Sequence, residues 1–207
     1  MTRIKMCGIR RPEDISAVNE IRPDCIGFVF FPGSRRYIAP EAAASLRALL
    51  APGIQAVGVF VDESPDTVAR LLREGVIDLA QLHGHEDELY LSRLRHLTDR
   101  PLIQAFRIRT EADVEAARAS SAAHILLDAG AGDGRTFDWR LLSHVTRPYF
   151  LAGGLSPDNV AEAVRQLHPW AVDVSSGIET DGCKDPAKMR AFAEALRASQ
   201  EAADPIN

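Results

Sequence analysis

The 207-residue sequence predicts an α/β protein, a single (βα)8 TIM barrel spanning residues 1–207. Eight short apolar runs recur along the chain, and an amphipathic segment with helical spacing follows each. The repeating unit is about 25 residues long, so eight units use nearly the whole chain, and an eightfold repeat closes on itself and removes its edge strands.

The elements follow in order. "IKMC" from Ile4 precedes a helix at Pro12 to Ile21, "CIGFVF" from Cys25 one at Pro40 to Leu50, and "AVGVFV" from Ala56 one at Pro65 to Glu74. "DLAQLH" from Asp78 precedes Glu86 to Leu97, and "LIQAFRI" from Leu102 precedes Glu111 to Ser120. "HILLDA" from His124 leads to a short helix at Trp139 to Val145, "YFLAG" from Tyr149 to one at Pro157 to Leu167, and "AVDVSS" from Ala171 to one at Pro186 to Arg197. The runs are mostly continuous rather than alternating, the pattern of parallel strands covered on both faces. Ser64-Pro65, Ser156-Pro157 and Asp185-Pro186 each set a capping side chain before a proline at the first helical position. An open, doubly wound sheet would call for a glycine fingerprint after its first strand, and "CGIRRPED" is not one.

Composition is ordinary for a globular chain, with 46% hydrophobic and 26% charged residues. A net charge of −5 offers no field for general nucleic-acid attraction. Cys7, Cys25 and Cys183 are widely spaced and form neither a disulfide framework nor a cysteine zinc site. No signal peptide or membrane-spanning run is evident, so the expected location is the cytoplasm.

In a barrel the functional groups gather at the C-terminal ends of the strands. Cys7 precedes Gly8 at the first end, and reads either as a small buried hydrophobe or as a reactive thiol whose pKa Lys5 and Arg36 would lower. Arg35 and Arg36 follow strand two, where a planar guanidinium suits a substrate carboxylate. Strand four ends in Gln81, Leu82 and His83; the histidine is a ligand, an acid or a satisfied hydrogen-bonding residue. Asp128 ends strand six, as an acid held protonated by burial or a base when ionised. Asp173, inside strand eight, suggests a structural or orienting role. Gly153 and Gly154 after strand seven, with Ser175, Ser176 and Gly177 after strand eight, form adjacent loops of the kind that cradle phosphate in barrels. A phosphorylated small molecule is therefore the expected partner, with no nucleic acid and no membrane.

Six short strings, in order and at the ends of successive units, make the chain resemble the phosphoribosylanthranilate isomerases of tryptophan biosynthesis. They are Lys5-Met6-Cys7-Gly8, Ser34 to Tyr37, Gln81-Leu82-His83-Gly84, Leu126-Leu127-Asp128 followed by Phe137-Asp138-Trp139, Gly153 to Val160, and Asp173 to Glu179. The resemblance implies an Amadori rearrangement of N-(5-phosphoribosyl)anthranilate, with Asp128 as general acid and Cys7 as general base. It also implies Arg36 on the anthranilate carboxylate, Gln81 and His83 in substrate binding, and the loops at Gly153-Gly154 and Ser175 to Gly177 on the phosphate. It implies no cofactor and no metal, and a monomer or a homodimer. One departure stands out: Ala131-Gly132-Asp133-Gly134 replaces the family's "GG(S/T)G", adding a carboxylate that either meets substrate or faces water.

Three other functions fit the barrel less well. Metal-dependent phosphosugar epimerases carry several inward histidines and carboxylates, a histidine-pathway isomerase carries two phosphate sites and a carboxylate after strand one, and a pure binding module would need neither Cys7 nor Asp128.

Overall fold

The computed structural model describes residues 1–129, 139–142 and 145–201. The departure at Asp133 and the Phe137-Asp138 pair therefore lie outside the described residues. Eight parallel strands, β1 (Arg3–Cys7), β2 (Cys25–Val29), β3 (Gln55–Phe60), β4 (Leu79–Leu82), β5 (Leu102–Arg107), β6 (His124–Asp128), β7 (Tyr149–Ala152) and β8 (Ala171–Val174), close in sequence order into a barrel. The seam pairs β1 with β8 and sets Lys5 opposite Asp173. Around the strands lie α1 (Pro12–Ile21), α2 (Pro40–Arg47), α3 (Pro65–Arg73), α4 (Glu88–Leu97), α5 (Glu111–Ala119), α6 (Val160–Leu167) and α7 (Pro186–Glu201). Between β6 and β7 the described residues contain one 3-10 turn, Trp139–Leu142, where the sequence suggests a short helix. A two-residue-per-arm hairpin, β9 (Glu179–Thr180) and β10 (Cys183–Lys184), crosses between β8 and α7.

The two-residue period of a strand sorts its side chains. Ile4, Met6, Ile26, Phe28, Ala80, Leu82, Ile125 and Leu127 belong to the large apolar layer shared with the helices. Cys25, Val57, Leu79, Ile103, Leu126, Phe150 and Ala171 form a second cluster inside the barrel. Both sets are buried, which explains why the strands read as unbroken apolar runs. At the N-terminal end Trp170 closes the interior, stacked on His124 with centroids 4.9 Å apart and under the Arg3 guanidinium at 4.3 Å.

Helix starts only partly follow the proline signals. Ser64 caps α3 by accepting from the Thr67 N–H at 3.2 Å, and Asp185 accepts from Ala187 and Lys188 at the head of α7. Ser156-Pro157 does not open α6, which begins three residues later at Val160. There Asn159 braces the preceding loop instead. Its Oδ1 accepts from the Ser156 N–H at 2.8 Å and its Nδ2 donates to the Gly154 carbonyl at 2.9 Å, tying down the chain after β7. Likewise α4 begins at Glu88 under an Asp87 cap, not at Glu86. The Glu86 carboxylate is buried and accepts from the backbone of Asp62 and Gly84, fixing the loops after β3 and β4.

Lys5 is fully buried in the barrel interior, with its Nζ 2.9 Å from Asp173 Oδ1. Burial alone would lower its pKa, but the charges of Asp173 and Cys7 outweigh that and raise it, so the lysine stays charged. Removing one member of a buried pair leaves the other uncompensated. Lys5→Met is expected to lower stability in urea unfolding by about 3–5 kcal/mol, and a second change, Asp173→Leu, to recover most of the loss.

Candidate active site

Inward-facing residues at the C-terminal strand ends enclose a cavity of about 510 Å³. It is lined by Cys7 from β1, Gln81 from β4, Asp128 from β6 and Asp173 from β8. His83, Arg36, Gly153, Gly154, Ser175 and Ser176 line it from the loops beyond the strands. Among the residues singled out in the sequence, Gly177 lies off the lining; a Cβ there would collide with the Leu155 carbonyl, so this glycine lets the loops after β7 and β8 pack together.

Cys7 is buried between Gly27 of the neighbouring strand and Lys5 two residues below it. A Cβ on Gly27 would sit 2.6 Å from Cys7 Sγ, so the glycine makes room for the thiol. Burial pushes the Cys7 thiol up; Lys5 and Lys184 pull it down, and Asp173 adds to the rise. The expected lowering by Lys5 is thus present but outweighed by desolvation. Arg36, expected to help, turns its guanidinium to a carboxylate instead. Cys25, deeper in the barrel, is pushed by burial up to about 12 and stays a thiol.

His83 links the strand-four end to Asp128. Gln81 Nε2 lies 2.8 Å from His83 Nδ1, and an amide nitrogen only donates, so with the amide set this way the ring proton sits on Nε2. That nitrogen is 3.5 Å from Asp128 Oδ2. Gln81 is itself buried, and its Oε1 has no partner among the described residues. Arg107, which pairs with Asp128 in the ladder, also lines the cavity.

On the opposite side the guanidinium of Arg36 grips Glu179 with two bonds, Nε to Oε1 at 2.6 Å and Nη2 to Oε2 at 2.9 Å. Arg35 reaches the same carboxylate at 3.0 Å but from an exposed position off the cavity, so the structure separates two residues that spacing alone does not. The buried Lys184 donates to Glu179 Oε1 at 2.8 Å and to the Ser175 carbonyl at 2.8 Å. Burial alone would raise the Glu179 carboxyl, but its bonds to Arg36 and Lys184 hold it at about 2. Glu179, Lys184, Arg107 and Phe31 were not singled out from sequence. Glu179 was within reach, since it ends the string that begins at Asp173; Lys184 sits in a polar stretch whose return beneath the loop only the hairpin reveals.

Gly153 and Gly154 have φ of 98° and 65°, which side-chain-bearing residues adopt only under strain. Ser175 donates from its hydroxyl to the Cys7 carbonyl at 3.0 Å, joining β8 to the thiol's own strand. Beyond it the 3-10 turn Ser176–Ile178 provides the short extra helix that often supports phosphate in barrels.

A thiol and a carboxyl group from separate strands of one cavity, with an arginine and two adjacent glycine-serine loops, define a barrel enzyme for a phosphorylated small molecule. Comparison with known proteins narrows the class. A family model described as N-(5'phosphoribosyl)anthranilate (PRA) isomerase matches residues 4–195. An N-(5'-phosphoribosyl)anthranilate isomerase of Endomicrobium trichonymphae is 44% identical over 202 residues, covering 95% of this chain and 99% of that one. The crystal structure of phosphoribosyl anthranilate isomerase from Thermotoga maritima superposes with a TM-score of 0.88 at 36% identity, covering 96% of this chain and 100% of that one. Another such structure, in complex with reduced 1-(o-carboxyphenylamino)-1-deoxyribulose 5-phosphate, gives a TM-score of 0.85 at 36% identity, with the same coverage of both chains. The chain belongs to the phosphoribosylanthranilate isomerase family.

The electrostatics of Glu179 set a pH dependence. A carboxyl held at about 2 in the folded state, against an unfolded value near 4.5, stabilises the fold above that unfolded value and loses the contribution as pH falls toward 2. Thermal unfolding followed from pH 6 to pH ~2.5 should show this loss. Glu179→Gln is expected to give a lower but flatter profile across the same window.

Proposed function

We propose that Asp128 is the general acid and Cys7 the general base of the isomerisation, with Arg36 on the anthranilate carboxylate and the loops after β7 and β8 on the phosphate. The reaction itself follows from family membership. The chain converts N-(5-phosphoribosyl)anthranilate to 1-(2-carboxyphenylamino)-1-deoxy-D-ribulose 5-phosphate, an Amadori rearrangement of tryptophan biosynthesis. The observation that carries the residue assignment is the single cavity shared by Cys7, Asp128, Arg36, Gly154 and Ser176.

The chemistry asks for one acid and one base on different parts of a pocket. Asp128 gives a proton to the ribose ring oxygen as the C1′–O bond breaks, and the anthranilate nitrogen becomes an iminium. Cys7 as thiolate then removes the C2′ proton, and the electron pair left behind forms the C1′–C2′ double bond of an enolamine. Tautomerisation gives the C2′ ketone; C1′ is reduced as C2′ is oxidised, and the substrate's own nitrogen serves as the electron sink. A buried thiol pushed up by desolvation needs help to ionise. The iminium supplies it, because a positive charge formed in a low-dielectric cavity joins Lys5 and Lys184 in favouring the thiolate.

His83, with its Nε2 proton toward Asp128, orients the acid, while Gln81 holds the ring in that tautomer. Phe31 lines the cavity on the same strand-two loop as Arg36 and gives the anthranilate ring an apolar wall. The phosphate fixes the other end of the sugar, so that acid and base meet their atoms without a search. The free state of Cys7, Cys25 and Cys183 accords with a cytoplasmic enzyme, and no helix among the described residues is long and apolar enough to cross a membrane.

Loss of anthranilate fluorescence on mixing with fresh substrate tests the assignment. Wild type should turn over with a chelator present, while Cys7→Ser and Asp128→Asn should each fall by about 10²–10⁴-fold and remain folded. Wild-type kcat/KM should rise through the alkaline range, since burial raises the thiol, and Cys7→Ser should lose that limb. Undiminished activity in either variant would remove that residue from the chemistry.

A further inference from the structure

Arg36 does not offer its whole fork to the cavity. Its Nε and Nη2 are engaged by Glu179 at 2.6 and 2.9 Å, which leaves Nη1 and the outer hydrogen of Nη2 for a ligand. Glu179 is in turn fixed by three elements. Its side chain accepts from Lys184, its ladder partner in the β9–β10 hairpin. Its backbone carbonyl accepts from Lys188 of α7 at 2.8 Å. The hairpin is tied to the loop after β1 by Arg10, which donates to the Gly182 carbonyl, and by Arg11, which donates to that of Lys184. Lys184 then reaches on to both the carbonyl and the hydroxyl oxygen of Ser175, at 2.8 and 3.3 Å, and the Ser175 hydroxyl donates to the Cys7 carbonyl. One buried carboxylate thus joins Arg36, through Lys184, to the loop at Ser175, and that loop is bonded in turn to the strand that carries the thiol.

We infer that Glu179 is a positioning residue that sets Arg36 as an end-on clamp for the substrate carboxylate and, through Lys184, keeps that clamp in register with the phosphate loop at Ser175. The inference rests on the reading that Arg36 meets the anthranilate carboxylate. Its physical basis is that a guanidinium held along one edge by a carboxylate loses little freedom on meeting a second anion, while an untethered arginine has to be ordered by the substrate itself. Lys184, desolvated beside the same carboxylate, keeps the local charge balanced so that the site retains net attraction for an anion.

The discriminating probe is a pair of substrates, N-(5-phosphoribosyl)anthranilate and the N-(5-phosphoribosyl)aniline that lacks the carboxylate. In wild type the first should have the lower KM. Glu179→Gln should raise KM for the anthranilate substrate by about tenfold or more with a much smaller change in kcat, and so narrow the gap between the two substrates. Glu179→Asp, one methylene shorter but still charged, should recover part of that gap. Equal losses for both substrates, falling on kcat as much as on KM, would mean that Glu179 only braces the fold and would overturn the inference. Should Glu179→Gln not fold, Lys184→Met tests the same network, with the same narrowing supporting the inference and a uniform loss overturning it. Arg36→Met separates the two levels. If it erases the preference for the carboxylate and the Glu179 variants do not alter that preference, the arginine reading stands and the positioning role falls. If Arg36→Met leaves the preference intact, both fall.

Discussion

Closure of the sheet at the β1–β8 seam is the constraint on which the remaining structure depends. Once β1 pairs with β8, alternate residues of each strand face a common interior, and the barrel has one end where those rows emerge. Lys5 and Asp173 face each other across that seam, and Cys7 and Ser175 follow two residues further along the same rows. The chemistry-bearing residues are continuations of the packed core and inherit its rigidity. The apolar cluster from Cys25 to Ala171 fills the interior below, so the cavity has a floor and is not a channel.

Putting charges into that interior has electrostatic consequences that the site uses. Lys5 is desolvated yet stays cationic because Asp173 faces it, and its charge lies just beneath the Cys7 thiol, where it offsets part of the rise that burial causes. Glu179 plays the corresponding part at the rim, held ionised by Arg36 and Lys184. The first places fixed charge next to the thiol proposed as the base, and the second fixes the arginine proposed to meet the substrate carboxylate, both in surroundings where water screens little. Ion pairs of this kind give little net stability; their value here lies in where they hold Cys7 and Arg36.

The sequence made the barrel legible because its signal is repeated eight times, and the helix-to-strand alternation survived errors of a few residues at element ends. Cys7, Asp128 and His83 were legible because they follow apolar runs directly, so their place at a strand end required no tertiary information. The distinction between Arg35 and Arg36 was not, since it depends on which side chain turns toward the cavity. Glu179 and Lys184 escaped notice for a related reason: Glu179 meets Arg36 from 143 positions away and Lys184 meets Glu179 by folding back through a hairpin, and local pattern carries neither relation. The Ser156-Pro157 signal misled because Asn159 competes for the same backbone and uses it to brace the Gly154 loop. Local helix propensity yielded there to the bracing of the loop after β7.

The most direct measurement is a crystal structure of this chain with reduced 1-(o-carboxyphenylamino)-1-deoxyribulose 5-phosphate, the compound held by one of its relatives. The account predicts the phosphate against Gly154 and Ser176, the carboxylate at the outer edge of Arg36, and C2 within about 3–3.5 Å of Cys7 Sγ. The C4 hydroxyl, formerly the ring oxygen, should then lie within hydrogen-bond reach of Asp128. A ligand bound in the reverse sense, or one with C2 out of reach of the thiol, would contradict it.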